Sequence, residues 1–439
     1  MRKQDNRVQI GAWWMLAVLL TLYTLSFVDR IVISMLVDPI KQTLGLSDVD
    51  MGIVIGPGFG VAYCIFGYIF GLAADRLSRR HVIYGGVTLW SLSAGLSGLA
   101  GNFIGLLGFR AGVGAGEAAL TPAAYSLITD RFPHRRLTTA MAIYQMGAKL
   151  GASVAFAVGG ISIAFATTLQ HQNWPVIGTM EPWQIALGLT GLPGAALALL
   201  VYTFHEPVRD ATIKEKADRA PLLQFMRAER QALLPMAIGF ASIAITMYSL
   251  TSWTPTYMSR QFDWHPAQYG PALSVISLLG AGSMIVKGMI VDWLYGRGIR
   301  DAHLRFFTWL LAATTPLGAV AFFIRDPWVF LVVYAIMQVV ALQFVVFMGA
   351  TLQLLVPPEL RGQITGLFLG FFTLLGLGAG PTFTALLTDY LFRDEAKLGY
   401  SLAVTTCLTI PLAWLSLRAA LAPVNAAFDR RDAAAGSVT

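Results

Sequence analysis

The chain has 439 residues, of which 56% are hydrophobic and only 13% are charged, and its mean hydropathy is +0.63. Soluble domains average roughly 45–50% apolar and about 25% charged residues, so this composition excludes an ordinary soluble protein and predicts an integral membrane protein. The formal net charge of +7 does not indicate nucleic-acid binding, because most basic residues fall on one predicted side of the membrane.

Twelve apolar segments are long enough to cross a bilayer, which takes about 20 residues folded as a helix that satisfies its own backbone hydrogen bonds. Six fall in each half, so the sequence predicts an all-α membrane protein built from two pseudo-symmetric six-helix bundles. The segments, called spans 1 to 12, are predicted near residues 11–36, 51–73, 82–100, 102–127, 138–163, 183–204, 232–258, 268–291, 304–323, 328–355, 363–388 and 399–418. The predicted domains are an N-terminal bundle at 1–204, a linker at 205–231, a C-terminal bundle at 232–418 and a tail at 419–439.

Ionisable residues inside spans 1, 4 and 5 are the candidates for chemistry, because charges are costly in hydrocarbon and need a partner or water. Asp29 and Arg30 lie in span 1, and Arg110 and Glu117 lie seven residues apart on one face of span 4. Counting from the helix ends places Asp29 level with Arg110, and Glu117 level with Lys149 of span 5. The sequence therefore predicts two pairs, Asp29 with Arg110 and Glu117 with Lys149.

We expect the two buried acids, Asp29 and Glu117, to carry protons during transport. A carboxylate in such a setting is disfavoured by desolvation and favoured by a neighbouring cation, so it can take up a proton from one side and release it to the other. Arg30, Arg110 and Lys149 are expected to act as charge partners or to bind an anionic headgroup. The alternative interpretation is a set of static salt bridges that hold the helices together.

A short basic turn follows span 2 and is partly repeated in the second half of the chain. Gly71 and Asp75 recur as Gly288 and Asp292, each 217 positions later. Internal duplication of this kind is typical of a secondary transporter. The turn is predicted to act as a conformational latch, although the preference for positive charge on the cytoplasmic side alone also explains its arginines. The latch candidates are Gly71, Asp75, Arg76, Arg79, Arg80 and Asp292.

Small residues recur at four-residue spacing, a pattern that predicts close approach of helix backbones. The pairs are Gly52/Gly56, Gly67/Gly71, Gly147/Gly151 and Gly366/Gly370. Spans 7 to 12 contain no clear acid at mid-membrane depth, so we expect coupling to reside in the N-terminal half and the C-terminal half mainly to shape the cavity. The predicted cavity residues are Tyr63, Gln145, Tyr248, Trp253 and Gln343.

The orientation follows from the 31 lysines and arginines, of which 22 lie on one predicted side and 5 on the other. Under the positive-inside rule both termini and the linker are cytoplasmic. We expect a multi-pass protein of the plasma membrane, as in a bacterial inner membrane.

The stretch from Gly71 to Arg80 resembles the loop motif between spans 2 and 3 of the major facilitator superfamily, with Ser78 in place of the usual glycine. Three further stretches resemble spinster-like transporters within that superfamily. They are Phe27 to Arg30; Asp38 to Ile40 with Leu44 to Asp48; and Arg110 to Glu117 followed by Ala118 to Pro122. The resemblance implies a lipid-type cargo, a lysophospholipid or sphingoid phosphate, moved by proton coupling with Asp29, Arg110 and Glu117 at the matching positions.

Organic-anion:cation symporters share a similar Asp-Arg in span 1 and a glutamate in span 4, so a small organic anion remains an alternative cargo. The expected protein is an alternating-access transporter and not an enzyme, because its six histidines are scattered over both membrane faces. We expect no cofactor or metal, protons as the coupling ion, membrane lipids and an amphipathic or anionic small molecule as partners, and a monomer. Within span 5, the residues from Gly151 to Gly160 lack the proline of the antiporter motif, so exchange is unsupported.

Overall fold

The computed structural model describes residues 10–170, 172–174, 178–207, 219–341, 344–357 and 360–436. Twelve helical segments in these residues are long and apolar enough to cross a membrane, which confirms the predicted fold class. The strands in the described residues form one short antiparallel pair between spans 5 and 6, β1 (Asn173–Trp174) and β2 (Gly178–Thr179). The structure is therefore almost entirely helical.

Spans 1 to 6 contain three long helices and three that are interrupted. Short elements also lie between spans, with helix Val37–Leu44 between spans 1 and 2. The spans comprise Ile10–Val32 with the 3-10 turn Ile33–Met35; Asp48–Ile55 with Pro57–Arg76; Arg79–Leu96 with the turn Ser97–Leu99; Phe103–Glu117 with Leu120–Arg131; His134–Thr168; and Pro182–Gly191, Pro193–Leu197 and the 3-10 segment Ala198–Thr203.

Spans 7 to 12 follow helix Arg219–Ala228, which lies within the predicted linker. Span 11 contains two π-helical segments, and the helix of span 12 continues through most of the predicted tail. These spans comprise Arg230–Phe262; Pro266–Gly296; Ala302–Val320 with the turn Ala321–Phe323; Pro327–Val340 with Val345–Leu355; Arg361–Thr373, Leu374–Ala379, Gly380–Leu386 and Leu387–Phe392; and, after the turn Glu395–Lys397, Leu398–Gly436.

Two breaks in the N-terminal half have a direct cause in proline. A proline has no N–H to donate to the carbonyl four residues earlier, and its ring crowds that carbonyl. Pro57 therefore begins a new helix in span 2, and Pro122 follows the break between Glu117 and Leu120 in span 4. The break in span 4 makes Glu117 the last residue of its helix, deep within an apolar segment.

By contacts, the described residues group into two compact units. The first unit comprises residues 1–214 together with 252–278, and the second comprises 215–251 and 279–439. The first six spans thus share a unit, which also includes the end of span 7 and the beginning of span 8. The linker predicted at residues 205–231 lies partly outside the described residues.

The second unit is held together by rings and hydroxyl groups. Phe307 stacks on Phe240 and Phe347 at centroid distances of 6.0 and 5.0 Å. Ser249 donates to the carbonyl of Gly380 at 2.7 Å, and hydroxyls pair between neighbouring helices, as in Thr388 donating to Ser401 at 2.8 Å. Each of these buried hydroxyls is hydrogen-bonded, so they contribute to packing without leaving a charge in the membrane.

Spans 1 and 5 pack closely at two of the predicted small residues. A Cβ added to Gly151 would lie 2.5 Å from the carbonyl oxygen of Thr24, and one added to Gly147 would lie 2.9 Å from Cδ1 of Tyr23. The predicted close approach is therefore confirmed at this pair. Other predicted small residues meet no neighbour within 4 Å of an added Cβ: Gly67, Gly71, Gly366 and Gly370.

We predict that Gly151→Ala lowers the thermal unfolding temperature of the purified protein, because its methyl group would have to displace backbone in span 1, at a cost of about 1–3 kcal/mol. Gly67→Ala is the matched control, since it adds the same methyl group to a membrane helix where there is open space. Alanine favours helix at both sites, so the control should be neutral or slightly stabilising. Equal unfolding temperatures for the two variants would contradict the close packing.

Candidate functional site: a buried ion pair and two charged clusters

An ion pair between Arg30 of span 1 and Glu117 of span 4 lies within the first unit. Nη2 of Arg30 donates to Oε2 of Glu117, and the two side chains are 14% and 2% exposed. The other carboxylate oxygen of Glu117, Oε1, is buried and has no hydrogen-bond partner among the described residues. The Glu117 side chain is thus almost inaccessible to solvent, and its Oε1 can still accept a hydrogen bond.

Aromatic rings surround the two guanidinium groups of the site. The ring of Phe59, which is fully buried, lies 4.5 Å from the guanidinium carbon of Arg30 and 5.6 Å from that of Arg110. Phe27 and Tyr63 approach Arg30 at 4.6 and 5.7 Å. Such contacts attract a cation to the ring face and exclude water from it. Phe59 occupies this position in the first turn of the helix that begins at Pro57.

Asp29 is buried at 3% exposure, and neither of its carboxylate oxygens makes a hydrogen bond of ordinary geometry with a described residue, although the indole N–H of Trp90 is a neighbouring donor. Arg110 donates to the backbone carbonyl of Asp29 at 3.3 Å, not to its side chain. Arg110 also retains two nitrogens, Nε and Nη2, without partners in the described part of the chain. The two residues are adjacent, as their predicted depth requires, but the predicted side-chain pair is absent.

The predicted pair of Glu117 with Lys149 is wrong, because Glu117 binds Arg30 instead. Depth along each helix was readable from the sequence, but the rotation of each helix about its axis was not. Lys149 is half-buried on span 5 and has no hydrogen bond or ion pair with any described residue. The two span-4 residues share one unit with Asp29, Arg30 and Lys149.

The predicted cavity residues have different environments. In the first unit, Tyr63 is half-buried beside Arg30, Gln145 is exposed, and Trp253 is fully buried, so its ring lines no accessible cavity in this structure. Tyr248 is half-buried in the second unit. Gln343 lies outside the described residues.

The basic turn after span 2 is anchored by a fully buried arginine. Arg79 donates to Asp130, to Ser126 at 2.9 Å and to Glu206 at 3.0 Å, and it also reaches the carbonyl of Pro207 at 2.7 Å. The turn is thereby tied to the end of span 4 and to the segment after span 6. Arg79 thus pairs with two acids, Asp130 and Glu206, neither of which was identified from the sequence.

Other latch candidates have less definite surroundings. Arg80 donates to the carbonyl of Phe204 at 2.9 Å and lies 4.0 Å from Glu206. Arg76 and Asp292 are exposed, and an added Cβ at Gly71 would meet open space. The side chain of Asp75 lies outside the described set. A latch role for these residues stays a prediction.

Glu206 accepts several of the hydrogen bonds that anchor the basic turn. It accepts from the Ser78 hydroxyl at 2.5 Å and from the Arg79 backbone N–H at 2.9 Å, in addition to the Arg79 guanidinium. Burial raises the pKa of its carboxyl, but these hydrogen bonds and the nearby positive charge outweigh burial and lower the pKa to about 2.

A second charged cluster joins the end of span 7 to the region between spans 1 and 2. Arg260 donates to Asp38 at 2.6 Å and to Asp48 at 2.7 Å, and Lys41 donates to Asp48 at 2.5 Å. Asp48 is fully buried in this cluster, all of which belongs to the first unit. This cluster was not predicted from the sequence, although Asp38 and Asp48 lie in the stretches that resemble spinster-like transporters.

Comparison with known proteins agrees with this architecture. The sequence profile of the Major Facilitator Superfamily matches residues 19–421. The chain belongs to the Major Facilitator Superfamily. It is therefore a multi-pass membrane transporter and not an enzyme.

Three relatives within the superfamily are informative. An MFS-type efflux pump of Mycolicibacterium smegmatis is 28% identical over 87% of this chain and 86% of its own. A hexuronate transporter of Bacillus subtilis is 25% identical over 64% of each chain. Protein spinster homolog 1 of Xenopus laevis is 26% identical over 61% of this chain and 50% of its own, so the match spans about half of that relative.

A solved structure extends the likeness to nearly the whole fold. A bacterial homolog of the human lysosomal transporter Spinster, in an inward-facing and unoccupied conformation, superposes with a TM-score of 0.77 at 24% identity. The match covers 96% of this chain and 98% of that one. Together with the spinster relatives, it confirms the predicted resemblance to spinster-like transporters.

We predict that Glu206→Gln lowers the thermal unfolding temperature, and that the difference from wild type depends on pH. The folded-state pKa of about 2 lies below the usual value of about 4.3 for glutamate, so the charged group stabilises the fold above about pH 4.3. That contribution is lost as the pH falls towards about 2.

Unfolding temperatures of both proteins, measured by scanning fluorimetry in detergent from about pH 7 downwards, should differ most above about pH 5 and converge in acid. Arg80→Gln is the control, because Arg80 is partly exposed and only 4.0 Å from Glu206, and its effect should be smaller. A difference between wild type and Glu206→Gln that does not change with pH would contradict this role for the carboxylate.

Proposed function

We propose that the protein is a proton-coupled, alternating-access transporter of an amphipathic lipid with a single chain, such as a lysophospholipid or sphingoid phosphate. The observation that carries this proposal is the buried pair of Arg30 with Glu117, beside the unbonded carboxyl of Asp29. Ionisable groups held at this depth in a transporter are typical of proton relays.

The proposed coupling uses the two acids in turn with the cations beside them. A proton added to Oε1 of Glu117, which has no partner among the described residues, would neutralise the carboxylate and weaken its hold on Arg30. Arg30 would then turn towards Asp29, its neighbour in sequence. Asp29, with both oxygens unbonded within the described structure, would be the second proton site.

Alternating access also requires contacts that open and close. The Arg260 cluster joins residues of span 7, in the C-terminal half of the sequence, to Asp38 and Asp48 in the N-terminal half. By the positive-inside rule this cluster lies on the outer side, and the Arg79 cluster lies on the cytoplasmic side. In the proposed cycle, the Arg260 cluster separates when the outer side opens and re-forms when it closes.

The lipid cargo is supported by the similarity to spinster proteins and by the aromatic walls around Arg30. A second candidate is a small organic anion, supported by similarity to the hexuronate transporter over nearly two thirds of the chain. Both kinds of cargo carry an anionic group, a phosphate or a carboxylate. They differ in whether the cargo carries a long apolar chain.

The proposal includes the setting in which the protein works. It would reside as a monomer in the plasma membrane, that of a bacterial cell, with both termini cytoplasmic, and would use protons as the coupling ion without a cofactor or metal. The distribution of lysines and arginines supports the orientation. No role in nucleic-acid binding is proposed.

We predict that Glu117→Gln abolishes the stimulation of transport by a pH gradient, because glutamine cannot gain or lose a proton. The measurement is uptake of a labelled lysophospholipid by proteoliposomes with and without an imposed gradient. Glu181→Gln is the matched control, since it changes the same group at an exposed position outside the site, at the start of span 6.

Wild type and Glu181→Gln should show gradient-stimulated uptake, and Glu117→Gln should not, at equal protein insertion and unchanged unfolding temperature. Gradient-stimulated uptake that persists in Glu117→Gln would exclude Glu117 as the coupling acid. Uptake of hexuronate but not of the lysophospholipid by wild type would favour the second candidate cargo.

A further inference from the structure

Two lysines of this chain lie within membrane spans, Lys149 in span 5 and Lys287 in span 8. Lys287 is buried and has an interaction partner. Lys149 is half-buried and makes no hydrogen bond, ion pair or charge contact with any described residue. Because an unpaired ammonium group inside the membrane is costly, Lys149 requires a counter-charge, and none of the described residues supplies it.

The surroundings of Lys149 are polar along one face of its helix. Gln145, Lys149 and Ser153 follow one another at four-residue spacing, so their side chains lie on the same face of helix His134–Thr168. At one end of this stripe Ser153 is buried and hydrogen-bonded to Ser274 of span 8 at 2.8 Å. At the other end Gln145 is exposed. Lys149 therefore lies between a closed end and an accessible end.

The closed end of the stripe is packed tightly. A Cβ added to Gly270 would lie 2.6 Å from the carbonyl oxygen of Phe156, and one added to Gly160 would lie 2.7 Å from that of Pro266. Spans 5 and 8 are thus in close backbone contact beyond Ser153, within the first unit. The side of Gln145 is therefore the accessible approach along this stripe to Lys149.

The accessible end carries oriented polar groups. Tyr23 donates to Oε1 of Gln145 at 3.4 Å, and Nε2 of Gln145 donates to the hydroxyl of Tyr125. The Tyr125 hydroxyl therefore acts as an acceptor towards Gln145 and keeps its own proton to donate. The Tyr125 hydroxyl and the ammonium group of Lys149 therefore supply hydrogen-bond donors and a positive charge between the accessible end and the closed end of the stripe.

The charge balance of the first unit indicates the sign of the missing group. Asp29, Arg30, Arg110 and Glu117 sum to zero when both acids are ionised, so Lys149 leaves one uncompensated positive charge among these embedded residues. A bound group with one negative charge would neutralise the site. A zwitterionic or neutral headgroup would leave Lys149 uncompensated.

We infer that Lys149 is the residue that recognises the cargo by its anionic headgroup, a carboxylate or phosphate, with Tyr125 as a neighbouring hydrogen-bond donor. This inference rests on the proposed transport function and specifies its substrate class. It assigns Arg30 and Glu117 to proton coupling and Lys149 to discrimination by charge. The anionic group belongs either to a single-chain lipid or to a small acid without a chain.

Equilibrium binding at one pH, with no gradient, tests the inference separately from coupling. The probes are three lysolipids with one acyl chain length and different headgroups: phosphoglycerol, phosphate and phosphocholine. Glycerol phosphate and a hexuronate serve as anions without a chain. Purified full-length wild type should bind the two anionic lysolipids about tenfold or more tightly than the phosphocholine lipid, the equivalent of one charge-assisted contact.

The preference should disappear in Lys149→Gln, mainly through weaker binding of the anionic probes, while the dissociation constant for the phosphocholine lipid stays within about twofold. Lys149→Arg should keep the preference because it keeps the charge. Lys287→Gln is the matched control, since it removes the other embedded lysine and should leave the ratio of affinities unchanged. Comparable binding of the chainless anions would identify a small acid, and not a lipid, as the source of the anionic group.

If Lys149→Gln does not fold, Lys149→Cys in a background with Cys64 and Cys407 replaced by alanine provides a second test. Modification with an aminoethyl thiosulfonate restores the positive charge and should restore the preference for anions. A preference that survives Lys149→Gln, equal weakening for all headgroups, or no preference in wild type would overturn the inference. Loss of gradient-driven transport in Glu117→Gln alone bears on coupling and would leave this result unchanged.

Discussion

A charge inside a membrane is costly unless it is paired, and this cost constrains the first unit. In this chain the pairing of Arg30 with Glu117 meets that constraint. Removing either charge would leave the other buried without compensation, which is far more costly than leaving the pair intact. The pair can therefore open only when something replaces it, either a proton on Glu117 or another anion beside Arg30. A contact with two defined states of this kind is what a coupled transporter requires.

Helix breaks and close helix packing position the residues around the pair of Arg30 with Glu117. The proline-induced breaks at Pro57 and Pro122 place Phe59 in the first turn of one helix and Glu117 at the last residue of another. The ring of Phe59 then lies close to the guanidinium groups of both Arg30 and Arg110. Close packing of Gly147 and Gly151 against span 1 fixes the helix that carries Arg30 relative to the helix that carries Lys149.

Much of this arrangement could be predicted from residue type and spacing. Hydropathy located all twelve spans, since every membrane helix must satisfy its backbone internally. The cost of a charge in hydrocarbon identified the candidate functional residues, which are Asp29, Arg30, Arg110, Glu117 and Lys149. Partners could not be predicted, because the sequence specifies depth along a helix but not its rotation, and a long arginine reaches acids at more than one depth. Glu117 was therefore assigned to Lys149 when Arg30 is its partner.

Charged contacts at the ends of spans were the least predictable feature. Arg260 was visible only as one basic residue on the predicted outer side, and nothing in its own neighbourhood indicates that Asp38 and Asp48, more than 200 positions away, accept its hydrogen bonds. Glu206 was equally inconspicuous in a mixed polar segment. Such contacts depend on the tertiary arrangement of helices. They become apparent only when distant segments are brought together.

The proposed coupling depends on the release of Arg30 by a proton on Glu117. Infrared difference spectroscopy of the reconstituted protein, recorded as the pH is lowered with and without cargo, reports protonated carboxyl groups directly through their C=O stretch. We expect a protonated carboxyl band that changes with cargo and is missing in Glu117→Gln but present in Glu181→Gln. A spectrum in which Glu117→Gln and wild type share the same proton-dependent bands would show that the pair stays ionised, and would exclude release of Arg30 by protonation of Glu117.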